Sequence, residues 1–188
     1  MMLRFTDETF TPTEASAFSE ASVRRVHKEL EHRIIEAMTS PPRLTFSALV
    51  YLRALELIGL ELPVQARVEM FRLVAEAVRS ASETVPLARL LTLDVKPVVD
   101  EMKNKVTRFQ RWKKKLVTND DIMGGEPVFP GRRLTVRRVG EMLERGESPD
   151  VVIEDYPYLT AEDLELARLF VRAYPRVGRP PATRQAAR

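Results

Sequence analysis

Two reciprocal helix starts stand near opposite ends of the chain, Thr11-Pro12-Thr13-Glu14 and Thr160-Ala161-Glu162-Asp163. In each, the threonine hydroxyl can accept the backbone N–H three residues on, while the acid there reaches back to the threonine N–H. Pro12 also presets the φ angle of a first helical residue. Further starts at Thr45, Pro63, Thr135 and Ser148-Pro149, with stops at Gly59 and Gly146, cut the chain into a series of short helices. This punctuation predicts a mainly α protein with minor β elements.

The first helix is short, because Ser19 offers a fresh cap about two turns after Pro12. A second is expected from about Glu20 to His32, with Val23, Val26 and Leu30 inside at steps of three and four, and Arg24, Arg25 and Lys28 outside. A short helix, a tight turn and a longer helix with a basic face describe a helix-turn-helix. Ile34–Ile35 and Arg43–Leu44, separated by Ser40-Pro41-Pro42, are expected to form the small hairpin of a winged helix. A helix from Thr45 to Gly59 follows, then one from Pro63 with Val64, Val68, Phe71, Ala75 and Val78 as its core stripe. These segments predict a winged helix-turn-helix domain over residues 1–86.

Residues 87–118 form a connecting section. "ARLLTLDV" reads as a short strand, and "DVKPVVDEMKNKVTRFQRWKKKL" as an amphipathic helix. Val99, Met102, Val106 and Phe109 are spaced 3, 4 and 3 until Lys113 interrupts them, which suits a core stripe or strut and, as an alternative, a dimer seam. Trp112 is expected to pack, although an aromatic among lysines also suits base stacking. Residues 119–175 read as a small helical domain with a minor β element at "EPVF", and residues 176–188 as a basic flexible tail too poor in apolar side chains to build a core.

Charge is segregated along the chain. Residues 101–116 carry seven Lys or Arg against one acid, 130–138 four Arg and no acid, and the segment from Arg172 to the end five Arg and no acid. Residues 141–165 reverse this, with nine acids and one Arg. Such patterns suit a surface for polyanions plus a separate acidic face, or simply solvated helix faces. Several of the acids fall in first turns, where they favour the helix dipole by roughly 0.3–1 kcal/mol each. With no cysteine, disulfides, zinc–thiolate sites and thiol nucleophiles are excluded. The opening "MMLRFTDETF" lacks the apolar stretch of a signal peptide and no run is long enough to span a bilayer, so a cytoplasmic protein without membrane contact is expected.

The segment "GGEPVFPGRRLTVRRV" lacks both the phosphate-loop spacing and the dinucleotide fingerprint, so its glycines are expected to serve turns. The longer stretch "GGEPVFPGRRLTVRRVGEMLERGESPDVVIEDYPYLTAEDLELARLF" resembles the small bacterial domain of unknown function 433. Gly124, Gly125, Pro127, Gly131, Arg133, Val136, Gly146, Tyr156, Pro157, Leu159 and Thr160 carry the likeness. Arg132 departs from it, standing where the family usually has threonine. The N-terminal half is similar to the MerR-like winged helix. Chains with that pairing look like VapB-type antitoxins. The resemblance implies a PIN-type ribonuclease toxin as partner and repression of the shared operon.

On that reading Ser22, Arg24, Arg25 and Lys28 contact operator DNA, and Arg43 grips the backbone near the wing. A homodimer is expected, because one small helix-turn-helix buries little surface. Arg176 and Arg179 are the candidates for entering the toxin's carboxylate cluster, where a guanidinium competes with metal. A minor-groove role for "GRPP" is a rival, weakened by Val177 in place of arginine. A stand-alone regulator without a toxin uses the same winged helix. Catalysis is not expected and no cofactor is called for. His27 and His32 are five apart, not at the i, i+4 spacing of two ligands on one helix face, although Glu154, Asp155, Glu162 and Asp163 could together hold a metal.

Overall fold

The computed structural model describes residues 8–89, 91–119 and 123–176. Its helices are α1 (Pro12–Ser19), α2 (Val23–Glu31), α3 (Phe46–Ile58), α4 (Val64–Ser80), α5 (Lys96–Lys113), α6 (Val136–Glu144), α7 (Pro149–Asp155) and α8 (Ala161–Ala173). Two antiparallel two-stranded sheets accompany them, β1 (Thr9–Phe10) with β2 (Leu44–Thr45) and β3 (Thr84–Ala88) with β4 (Leu91–Asp94). The protein is therefore mainly α, as the punctuation predicts.

Both capping boxes form. Thr11 Oγ1 accepts Glu14 N–H (3.1 Å) while Glu14 Oε2 accepts Thr11 N–H (2.7 Å). Thr160 and Asp163 repeat the exchange at α8 (3.1 and 2.9 Å). Thr45 and Thr135 cap α3 and α6, each contact being worth about 1 kcal/mol.

The centre of the molecule is α3. Phe46, Ala48, Leu49, Val50, Tyr51, Leu52, Ala54 and Leu55 are all buried, so this helix is apolar on nearly every side and must be surrounded. α1, α4 and α5 pack around it. The buried side chains of both halves join in one cluster running from Phe10 to Ala173.

The apolar face of α5 is used up within the chain. Val98, Met102, Val106, Phe109 and Trp112 are buried, with Phe109 edge-on to Phe18 of α1 (5.3 Å between centroids) and Trp112 against Phe129 (6.3 Å). Trp112 Nε1 donates to Asp163 Oδ1 at 2.8 Å, so this residue packs rather than stacks on bases. Among the described residues the stripe read as a possible dimer seam is internal core.

Four local expectations are corrected. Ser19 ends α1 instead of starting α2: its hydroxyl donates to Ala15 O (2.6 Å), and Ser22 caps α2 by accepting Arg25 N–H (3.1 Å). Val23, expected inside, is 40% exposed, and Glu29 takes the inward position beside Val26. The stripe of α4 is rotated to Arg67, Met70, Val74 and Ala77, because Arg67 turns in to meet Glu29. The hairpin expected between Ile34–Ile35 and Arg43–Leu44 does not form. Ile34 and Ile35 instead spend their N–H groups on Glu29 O (2.9 and 3.3 Å), Pro41 and Pro42 have none to offer, and Leu44 pairs with Phe10 of β1. The chain makes a hairpin later, where β3 and β4 share "ARLLTLDV" with the residues before it.

The C-terminal segment follows its caps. Val128 bridges Val117 on one side and Thr135 on the other, giving the minor β element at "EPVF". Gly124 and Gly131 lie at φ 66° and 68°, conformations that favour glycine, so they serve turns. Gly140 is required for another reason. A Cβ there would stand 2.3 Å from Ala167 O and 2.7 Å from Val171 Cγ1, so its absence lets α6 lie directly on α8.

Candidate nucleic-acid interface

The α1–α2 turn is built by short side chains. Glu20 adopts a left-handed conformation (φ 66°), Ser16 Oγ donates to Ala21 O (2.6 Å), and Ala21 N–H donates to Ser19 Oγ (3.3 Å). The exposed Glu20 carboxylate is then clamped from two helices, by Arg53 Nη1 of α3 (2.6 Å) and Lys105 Nζ of α5 (2.8 Å). The Lys105 hydrogen bond is the main cause of its lowered pKa, with Arg53 adding to it. The turn between the two helices is thus fastened to the core by charge as well as by the buried Ala21.

A helical phase of 100° per residue sorts the side chains of α2. Val26 and Glu29 face inward and are fully buried, with Leu30 beside them half-buried. Glu29 accepts from Tyr51 Oη (2.9 Å) and is ion-paired with Arg67. Burial, with Glu29 alongside, raises the pKa of the Tyr51 hydroxyl. The carboxylate therefore replaces an apolar contact as the attachment of α2 to α3 and α4. Sequence reading missed it. The available signal was an acid three residues after Val26, in phase with the apolar positions.

Arg24, His27, Lys28 and Glu31 occupy the outer face and are exposed. Arg24 and Lys28, one turn apart, have no carboxylate within 4.0 Å among the described residues. Arg25 is different. The sequence places it outside, but its side chain is 24% exposed and lies 3.9, 3.9 and 3.7 Å from Glu29, Glu56 and Glu61, which leaves little net charge to offer a ligand. Ser22 is exposed at the helix start with its hydroxyl engaged as the cap. Arg33, left-handed at φ 53°, follows the end of α2, and Ile34 behind it returns to the core.

Arg43 is half-buried, donating to Thr9 Oγ1 (3.2 Å) and Thr9 O (2.6 Å) and standing 3.6 Å from Glu14. It ties β1 to β2 and does not share the outer face of α2. Of the proposed toxin contacts, Arg176 is exposed and 3.5 Å from Glu126, while Arg179 lies outside the described residues. His27 and His32 are both exposed. Asp163 is committed to Trp112 and to the α8 cap, and among the described residues no group of three or more His, Asp or Glu could hold a metal ion. No described helix is long and apolar enough to cross a membrane.

The two halves share α1. Tyr174, at the end of α8, donates its hydroxyl to Glu14 Oε1 (2.8 Å), and Lys113 of α5 donates to the same hydroxyl oxygen (2.9 Å). Burial, reinforced by the Glu14 hydrogen bond, raises the Tyr174 pKa. Glu14 thus serves its own helix cap, Arg43 and the C-terminal segment together.

"Uncharacterized protein y4eO" of Sinorhizobium fredii is 27% identical over 190 aligned positions, covering 92% of this chain and 84% of that protein. No solved structure matches. Residues 116–171, the segment from the end of α5 through most of α8, match the family described as "Protein of unknown function (DUF433)".

Proposed function

We propose that the protein binds duplex DNA through α1 and α2 and acts as the antitoxin of a type II pair, inhibiting a PIN-type ribonuclease toxin and repressing its own operon. One observation carries the DNA-binding half. α2 is capped and anchored on its inner side by a buried carboxylate, while Arg24 and Lys28 on its outer side meet no neutralising carboxylate among the described residues. An outward cationic row on a rigid helix following a short turn is what entry into a major groove requires. In this reading Arg24 and Lys28 make the base or phosphate contacts and Ser22 lies at the helix start. Arg25 and Arg43 hold the unit's shape more than they touch DNA. A homodimer on a two-fold site supplies the remaining affinity. The toxin-binding half rests on the resemblance of residues 119–175 and the basic tail, with Arg176 and Arg179 facing the toxin's carboxylates.

The test uses DNA from upstream of the protein's own gene. Arg24→Glu with Lys28→Glu is expected to abolish retardation at moderate salt, while Arg25→Gln has a smaller effect. Undiminished binding by the double variant refutes the interface. For the second half, expression of the adjacent open frame alone should arrest growth, and co-expression with this chain should relieve it. The alternative is a stand-alone transcription regulator, which draws on the same α2 geometry. It is favoured if the adjacent frame is harmless.

A further inference from the structure

A second group of cations is shared by the end of α5 and the C-terminal segment. The Val117–Val128–Thr135 bridges set its register. Val117 and Val128 exchange both backbone hydrogen bonds (3.0 and 2.9 Å), and Phe129 N–H donates to Leu134 O (3.1 Å). Trp112 of α5 packs on Phe129 (6.3 Å between centroids) and Val117 bridges Val128, so Lys114 and Lys115, in the helical turn between those two contacts, lie at the end of the segment from which the Pro130–Arg133 turn leaves. Arg111 lies one turn earlier on α5.

Arg111, Lys114, Lys115, Arg132 and Arg133 are all exposed, and none has a carboxylate within 4.0 Å among the described residues. The neighbouring Lys113 and Arg137 are occupied, by Tyr174 and by Glu126. Arg132, the residue that departs from the family pattern, has its guanidinium carbon 4.4 Å from the centroid of the Tyr158 ring, which holds the side chain in place. Among the described residues these five cations are left unneutralised at one end, whereas most of the other described arginines are paired, and they form a surface for a polyanion.

We propose that this tip is a second foothold on duplex DNA, gripping its phosphate backbone. Exposed arginine and lysine heads at one end suit phosphodiester oxygens, and such contacts position a protein without reading bases. Choosing a duplex over a single strand rests on the reading of α2 above. The grip on phosphate does not.

The experiment measures binding to a short mixed-sequence DNA duplex over a range of salt. The probes beside it are oligouridylate RNA and phosphatidylserine vesicles. Neutralising Lys114, Lys115 and Arg133 to alanine together should flatten the log–log salt slope by about 0.9 for each phosphate the variant no longer neutralises. Lys114→Arg with Lys115→Arg should keep the wild-type slope, and thermal unfolding of each variant verifies that it folds. An unchanged slope in the alanine variant overturns the proposal. So does tighter binding to the RNA or the vesicles than to the duplex. If Arg24→Glu with Lys28→Glu leaves operator binding intact while the tip variant has a flattened slope, the α2 reading fails and this one stands. The converse result separates them the other way.

Discussion

Replacing Arg67 with methionine removes the ion-pair partner of the buried Glu29 while keeping most of the volume of the side chain. Glu29 would retain the Tyr51 hydroxyl at 2.9 Å and the Arg25 guanidinium at 3.9 Å, the latter with its side chain 24% exposed. Stranding one member of a buried pair costs about 3–5 kcal/mol. The residual attraction of Arg25 places this case near the lower end, at about 3 kcal/mol, against a total stability of about 5–15 kcal/mol. With a urea m-value of about 2 kcal/mol/M, the midpoint should fall by about 1.5 M. The triple variant Glu29→Leu, Tyr51→Phe, Arg67→Met removes the carboxylate together with its two close partners. Because no buried carboxylate is then left unpaired, and Arg25 keeps Glu56 and Glu61, its stability should lie within about 1 kcal/mol of the wild type. Urea unfolding followed by circular dichroism measures both. A loss below about 1 kcal/mol for the single variant, or a triple variant no better than the single, would refute the argument that charge compensation holds α2 in place.

Other consequences are equally open to measurement. Gly140→Ala gains up to about 1 kcal/mol in helix propensity but drives a Cβ to 2.3 Å from Ala167 O, so α8 must retreat. A net loss of about 2 kcal/mol is expected, lowering Tm by about 4–8 °C, and a higher Tm would contradict the close packing. Tyr51 and Tyr174 both have folded pKa values above the ordinary tyrosine value of about 10. The unfolded chain therefore loses these protons first, so their contribution is complete below about pH 10 and declines as pH rises beyond it. Unfolding midpoints measured on the alkaline side should drop in the wild type and drop less in Tyr51→Phe.

Legibility in the sequence followed how local each determinant is. Thr160 and Asp163 begin α8 with bonds closed within four residues, and Thr135 begins α6 in the same way, so these ends were readable. Ser19 and Ser22 were both plausible caps three residues apart. The choice was settled by tertiary burial of Ser19, which no local rule contains. Only helical phase hinted at Glu29 as an anchor, because its partners stand 22 and 38 residues away and an acid on a helix ordinarily faces water. Its burial in turn rotated α4 and spoiled the expected apolar stripe there. β1 and β2 have two residues each and meet across a long separation, leaving no alternating pattern to detect. Within the candidate interface, Arg24 and Lys28 were legible from helical phase. The partial neutralisation of Arg25 was not, because Glu56 and Glu61 come from beyond α2.

The hydrogen bond between Tyr174 and Glu14 joins residues 160 positions apart. During synthesis on the ribosome, α1 emerges long before the helix that completes its surroundings. The nascent front half therefore waits with Phe18 lacking its Phe109 neighbour and the α1 surface uncovered. Truncated products that stop before α8 should fall to proteolysis.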